Sequence, residues 1–424
     1  MELDDSINSR KPPQTILYSK ITPLGLKARS IKYRTTPVTS GVYNAGNNTI
    51  RFNISSSTAF LDPHLTYLKF KVTSGEAVAV ALDGSAHSFI KRLRITSKSG
   101  GFDLENINEY GNLYNMLSDI QLGSQYRSGA GALCEGFGGG NMAIGGNATY
   151  CLPLMSSIIG QMNNKYLPLF LTGDIQLEIE LHARPMTVAA NANALIWSVD
   201  NVELHTQLIE FSSEVNNTLR AIASTSGLYI HSTSWKYFPS NCVAGASNNL
   251  MINERLRSVK TLLFGFRNQS VPADTTLATM GRSANNLTGY QLKIGQNLYP
   301  PQAILGTGNG AGAVSEFYSE TLKAVGCYAN SHNSGIINTT NYIVNTVALG
   351  GVPATIGKAV YGLDLDAFTK QNIESGVNTI LDNPLNLILS HGNVAGSEAC
   401  GCDMYLLHDQ ILVLQPDGQF LVSK

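Results

Sequence analysis

The stretch that decides the fold is Lys165-Tyr-Leu-Pro-Leu-Phe-Leu-Thr-Gly-Asp-Ile-Gln-Leu-Glu-Ile-Glu-Leu181. Its last seven residues alternate, with Ile175, Leu177, Ile179 and Leu181 on one side and Gln176, Glu178 and Glu180 on the other. Successive side chains leave a strand on opposite faces, so a period of two means a strand with one face on a core. Outward from this stretch, residues 66–72 (TYLKFKV) and 89–96 (FIKRLRIT) repeat the pattern, and 228–235, 258–266, 290–294 and 406–414 follow it less regularly. Helical spacing is rare. Ile107, Tyr110, Leu113, Tyr114 and Leu117 predict one short helix, and Val314, Phe317, Tyr318, Leu322 and Val325 predict a second.

Those two helices expose a duplication. The first follows a strand containing Leu93-Arg-Ile95 and the second follows Leu292-Lys-Ile294, an offset of 199 residues. Leu167-Pro-Leu-Phe-Leu171 has an echo in Asn383-Pro-Leu-Asn-Leu387, 216 positions on from proline to proline. Each half closes with further strands, 196–211 in the first and 406–422 in the second. The expectation is an arm at 1–28 and two tandem β-sandwiches at 29–212 and 213–424, with a few short helices. Long Gly-rich segments at 129–146, 306–313 and 331–351 interrupt the strands, and loops of that length usually carry function or contacts.

Composition narrows the function classes. Only 14% of the 424 residues are charged, against roughly 25% in an average soluble protein, a shortfall of about 47 side chains. Forty Gly, 18 Tyr and much Asn, Ser and Thr take their place, giving a neutral exterior suited to contact with other protein. The 43% hydrophobic content supplies a core. A net charge of −1 removes any global electrostatic case for coating nucleic acid or an acidic membrane. No apolar run reaches the ~18 residues of a spanning helix, and MELDDSINSR lacks the apolar centre of a signal peptide, so a soluble chain is expected. Six scattered cysteines fit a reducing compartment better than a disulfide framework. The seven Asn-x-Ser/Thr sites are about what this composition gives by chance and carry no message on glycosylation.

Several motifs imitate chemistry. Gly306-Thr-Gly308-Asn-Gly310-Ala311 resembles a dinucleotide-binding turn, but its preceding strand reads as only three residues after Pro300-Pro301, and no acid between Glu320 and Asp364 is there to hold a ribose. Glu178 and Glu180 share one strand face, whereas glycoside cleavage needs carboxylates across a cleft, so a polar strand face is expected. His391, Cys400, Cys402 and His408 make a zinc-like list, yet Cys-x-Cys is tighter than the usual knuckle and has no second knuckle to join. No catalytic residue, metal site or cofactor is expected. An enzyme cleaving polysaccharide would also want an aromatic-lined groove, and the chain has two Trp, Trp197 and Trp235.

One charge imbalance stands out. Residues 6–61 contain no acid, while Arg10, Lys11, Lys20, Lys27, Arg29, Lys32, Arg34 and Arg51 are basic. With Pro12, Pro13 and Pro23 and little periodicity, the first part reads as an extended basic arm, set against the plain alternative of a solvated tail.

The order 89–95 (FIKRLRI), then 103–107 (DLENI) running into the helix at 110–117, then 165–181, resembles the double jelly-roll major capsid proteins, in the flavour of polinton-like viruses and virophages. Residues 256–263, 361–366 and 374–377 extend the likeness through the second half. The resemblance implies an all-β fold of two eight-stranded jelly rolls, homotrimers forming pseudo-hexagonal capsomers, and a place in the icosahedral virion of a double-stranded DNA virus. It implies partners in other capsomers, penton and minor capsid proteins, and an arm carrying Arg10, Lys11, Lys20, Lys27 and Arg29 toward those proteins, an internal membrane or the genome. Outward towers are then expected at 129–146 and 306–331, and neutral flanks where subunits meet. A β-sandwich receptor- or glycan-binding fibre or adhesin is the alternative; it would usually bring a stalk repeat or secretion signal.

Overall fold

The computed structural model describes residues 27–39, 41–97, 101–138, 145–162, 165–188, 195–245, 247–268, 279–306, 313–328, 335–344, 357–367, 375–380, 385–392, 399–414 and 420–423. The deciding stretch ends in β9 (Ile175–Leu181), an inner strand of an antiparallel sheet ordered β2 (Thr49–Ile54), β9, β5 (Ile90–Ser97), β6 (Asp103–Asn108). Ile179 lies between Ile50 and Leu93, and Leu177 between Phe52 and Ile95. All six are at most 1% exposed. Burying each contributes about 1.5–3 kcal/mol, and a one-residue slip would turn the whole row outward, so the alternation sets the register.

The facing sheet runs β1 (Ala28–Thr35), β11 (Trp197–Phe211), β3 (Ala59–Ser74), β7 (Asn147–Pro153), with β8 (Leu167–Pro168) beside β3. A separate ribbon pairs β4 (Val80–Leu82) with β10 (Met186–Val188). The second half repeats this layout. One sheet runs β12 (Leu228–Cys242), β19 (Cys400–Leu414), β14 (Val259–Asn268), β17 (Tyr361–Asp364), with β20 (Phe420–Ser423) on β19; the other runs β13 (Ser247–Ile252), β18 (Leu385–His391), β15 (Leu287–Ile294), β16 (Asn297–Leu305). Counting in each half only the eight strands of its two four-strand runs (β1, β2, β3, β5, β6, β7, β9, β11 and β12–β19), the first pairs with the last, the last with the third, and the second with the penultimate. That shared order of eight strands is the duplication in three dimensions.

Short helices punctuate the strands: α1 (Tyr110–Gln121), α2 (Ser124–Ser128), α3 (Ala130–Glu135), α4 (Leu169–Thr172), α5 (Ser213–Ser226), α6 (Ser315–Ala324) and α7 (Thr339–Tyr342). The helix expected from Ile107 starts at Tyr110, because Ile107 belongs to β6 and faces Leu93. α1 and α6 follow β6 and β16, which are equivalent strands, so the 199-residue echo is structural. The 216-residue echo is not. Leu385 and Leu387 open β18, whose counterpart is β9, while Leu167–Leu171 form β8 and α4; Asn383 and Pro384 lie outside the described residues.

The two cores are unequal. One cluster lies wholly in the second half, around Phe264, Phe266, Tyr290 and Tyr361. The other fills the first half and continues into Ile230, Trp235, Leu263, Tyr405 and Leu412 of the second. β19 is therefore covered on both faces, by its own sandwich and by the first half, and almost every residue in it is buried or half-buried.

Candidate assembly surfaces and the seam between the halves

α1 is embedded against the second half, and polar groups that would be costly to bury unpaired find their partners there. Arg267 of β14 pairs with Glu109 at 3.3 Å and with Asp403. Asp403 also accepts from Asn112 Nδ2 at 3.0 Å and Tyr237 OH at 2.7 Å. Burial works against the Arg267 charge, but Asp403 and Glu109 outweigh it and raise its pKa. Glu109 sits at φ 49°, a left-handed conformation uncommon outside glycine, and is fixed by Arg267 and by Tyr405 OH, which donates to its carbonyl at 3.1 Å. Burial raises the Glu109 carboxyl, with Arg267 opposing.

A second cluster surrounds Asp119 on α1, which pairs with Arg127 at 2.8 Å, Lys358 at 2.9 Å and buried Arg282. Burial alone would raise this carboxyl, yet Lys358, Arg282 and Arg127 together hold it below its ordinary value. Two further acids, Asp83 and Glu105, are raised by burial. Asp83 accepts from Thr279 Oγ1 at 2.6 Å and Met280 N at 2.8 Å, and Glu105 from Ser234 Oγ at 2.8 Å and Ser157 N at 2.9 Å. Backbones also come close: a Cβ on Gly265 of β14 would lie 2.9 Å from the Met116 side chain of α1. Beside the seam a cleft of about 460 Å³ opens between Leu117, Met155 and Met162 on one side and Trp235 and Leu407 on the other.

The outer faces differ. On the β2-β9-β5-β6 sheet, Glu178 binds Arg51 at 2.8 Å and Arg92 at 3.0 Å, Glu180 binds Lys91 at 3.1 Å, and Arg94 binds Asp103 at 2.6 Å. The equivalent β13-β18-β15-β16 sheet has one charged residue, Lys293. It presents Asn249, Met251, Asn386, Ile388 and Gln291, and Met251 is 63% exposed. The expected neutral flank is thus a property of the second half, and the first half departs from it with a ladder of ion pairs. β1 is an edge strand exposed on both faces, with Tyr33 53% exposed.

The structure settles several motifs. Glu178 and Glu180 do share a face, and arginines occupy both oxygens of Glu178. The strand before the glycine turn is nine residues long, because β16 is an edge strand that tolerates Pro300 and Pro301 without losing a ladder donor; residues 307–312 lie outside the described residues. Lys27 is exposed and Arg29 lies on β1 opposite Glu210, while Arg10, Lys11 and Lys20 lie outside the described residues. The segments expected as towers are partly packed. Glu135 of α3 is buried, accepting from Tyr114 OH at 2.6 Å and paired at 3.1 Å with His87. Burial lowers the His87 pKa, with Glu135 opposing, and because a carboxylate only accepts, His87 Nε2 is the donor in this pair. Phe317, Thr321 and Ala324 of α6 are buried as well. In the zinc-like list, Cys400 and Cys402 share a face of β19, but their third neighbour is Cys242, which sequence spacing gave no reason to include. Among the described residues no group of three His, Cys, Asp or Glu is placed to hold a metal ion.

No protein-family model matches the sequence, and no curated protein matches it. Solved structures do. PBCV-1 VP54, fitted into a cryo-EM reconstruction of the virophage Sputnik, matches with a TM-score of 0.67 at 11% identity, over 96% of this chain and 99% of that one. The Faustovirus major capsid protein matches with 0.59 at 10% identity over 94% and 93%. The Sputnik virophage structure matches with 0.57 at 13% identity over 97% and 92%. The chain has the double jelly-roll fold of major capsid proteins. In this double jelly roll the seam is the contact between rolls, and the neutral flank is the outer sheet of the second.

Proposed function

We propose that this double jelly roll is a major capsid protein, a structural subunit of an icosahedral virion. The observation that carries the reading is the end-to-end match to capsid proteins together with a second-roll flank that has one charge in four strands. Stable protein contacts deplete charge at their centres because desolvating it costs more than pairing returns. A neutral flank and a β1 exposed on both faces are surfaces that a second copy would cover. On this reading the arm is 1–28 and the rolls are 29–212 and 213–424. Three copies join into a pseudo-hexagonal capsomer, and capsomers tile a shell around double-stranded DNA with penton and minor capsid proteins. The arm, through Arg10, Lys11, Lys20, Lys27 and Arg29, faces inward to minor proteins, a membrane or the genome.

The fibre or adhesin alternative is not favoured, since the matches that span the chain include capsid proteins. Negative-stain microscopy of the purified protein tests the proposal: hexagonal particles of three copies, or sheets and shells of them, are expected. Isolated single copies that bind glycan would favour the alternative.

A further inference from the structure

Cys242 is the last residue of β12 and Cys400 the first of β19, and the two are direct partners in the antiparallel register. Directly opposite residues point to the same face with Cβ atoms about 4.5–5.5 Å apart, close to the ~3.5–4.5 Å of a disulfide. Both side chains enter the second core, 1% and 4% exposed. Cys402 is on the same face and its thiol also reaches Cys242, but it is opposite Ser240 and diagonal to Cys242, a backbone spacing of about 7–8 Å that exceeds the usual disulfide range of about 4.4–6.8 Å. We propose that Cys242 and Cys400 form a reversible cross-strand disulfide that closes the end of the β12/β19 ladder.

Their surroundings suit thiol exchange. Hydrogen bonds from Cys400 and Cys402 hold the Cys242 thiol well below its ordinary value. Asn285 Nδ2 donates to Cys400 Sγ at 3.2 Å, and is itself placed by His391, whose Nδ1 donates to the Asn285 carbonyl at 2.9 Å. The pair is the terminal rung, and terminal rungs open at the lowest free energy. Val243, one residue on, is 65% exposed, so a small opening admits a small molecule.

The oxidant is a low-molecular-weight disulfide such as oxidised glutathione. The Cys242 thiolate attacks one of its sulfurs and releases one glutathione thiolate. Cys400, having given up its proton, then attacks Cys242 Sγ and expels the second. Two cysteine thiols are oxidised to one disulfide, one glutathione disulfide is reduced, and the two cysteine protons end on the two released glutathiones. The chemistry is independent of the capsid reading. Its use, as a lock set after a particle leaves a reducing cell, rests on that reading.

The test is native incubation of the full chain with oxidised or reduced glutathione, alkylation in denaturant, and peptide mapping by mass spectrometry. The expected product is a linked peptide joining Cys242 to Cys400, abolished by Cys400→Ser, retained by Cys402→Ser and absent in reduced glutathione. Wild-type protein in which both cysteines remain alkylatable after oxidation, or in which Cys242 is linked to Cys402, overturns the proposal. A chain that forms this link yet never assembles would sink the capsid reading and leave the disulfide standing.

Discussion

At Asp119 a single carboxylate answers three cations from three segments of chain, so its removal leaves Arg282 buried without a charge partner. Breaking a buried pair from one side costs about 3–5 kcal/mol. Asp119→Asn is therefore expected to lower the unfolding free energy by about that amount, read as a lower urea midpoint, and an unchanged midpoint would remove Asp119 from the seam's energetics. The pH dependence follows from the sign of the shift. The folded-state pKa lies below the unfolded value of about 3.9, so the stabilisation is present above that value and is lost as pH falls through the folded pKa. Acid titration of stability should be flatter in Asp119→Asn than in the wild type. None of this seam is legible in the sequence, because its partners are remote: Asn112 and Asp403 are 291 residues apart, and no local period links them. Cys242 is hidden for the same reason, since only strand register places it beside Cys400.

At the scale of elements, two sheets of the same topology carry opposite surfaces. In the ladder on β2-β9-β5-β6 Glu178 is itself buried, but its partners Arg51 and Arg92 are about half and a third exposed and keep access to water, so Glu178→Gln should cost only about 1 kcal/mol in chemical denaturation. On β13-β18-β15-β16, Met251→Asp adds a charge to an exposed position. It is expected to leave monomer stability within about 0.5 kcal/mol while weakening self-association strongly in sedimentation velocity. Undiminished association would show that this flank is not a contact. Strands such as β5, β9 and β15 were readable because alternation is local and each buries one face. The proline echo does not mark equivalent strands, because pairing decides equivalence and Leu167-Pro168 lies in β8 while Leu385 opens β18. β16 runs longer than its prolines predict, because proline is disfavoured in a strand unless it lies at an edge, and edges are assigned by topology.

For the whole molecule, the core that runs from the first roll into Trp235, Leu263 and Tyr405 couples the two halves. Calorimetry should give one unfolding transition, and two resolved peaks would mean that the rolls fold independently. The acid-free run at 6–61 predicts that deleting residues 1–28 preserves trimers but impairs shell closure, judged by electron microscopy; normal shells from the truncated protein would reject the arm's role. Tandem sandwiches were visible in the sequence through repetition, while the shared core was not, because apolar residues do not announce which sheet they will meet. The central claim is that this chain is built to associate. Native mass spectrometry of the purified protein across a range of concentrations tests it most directly: a stable species of three copies is predicted, and a monomer at every concentration would contradict the account.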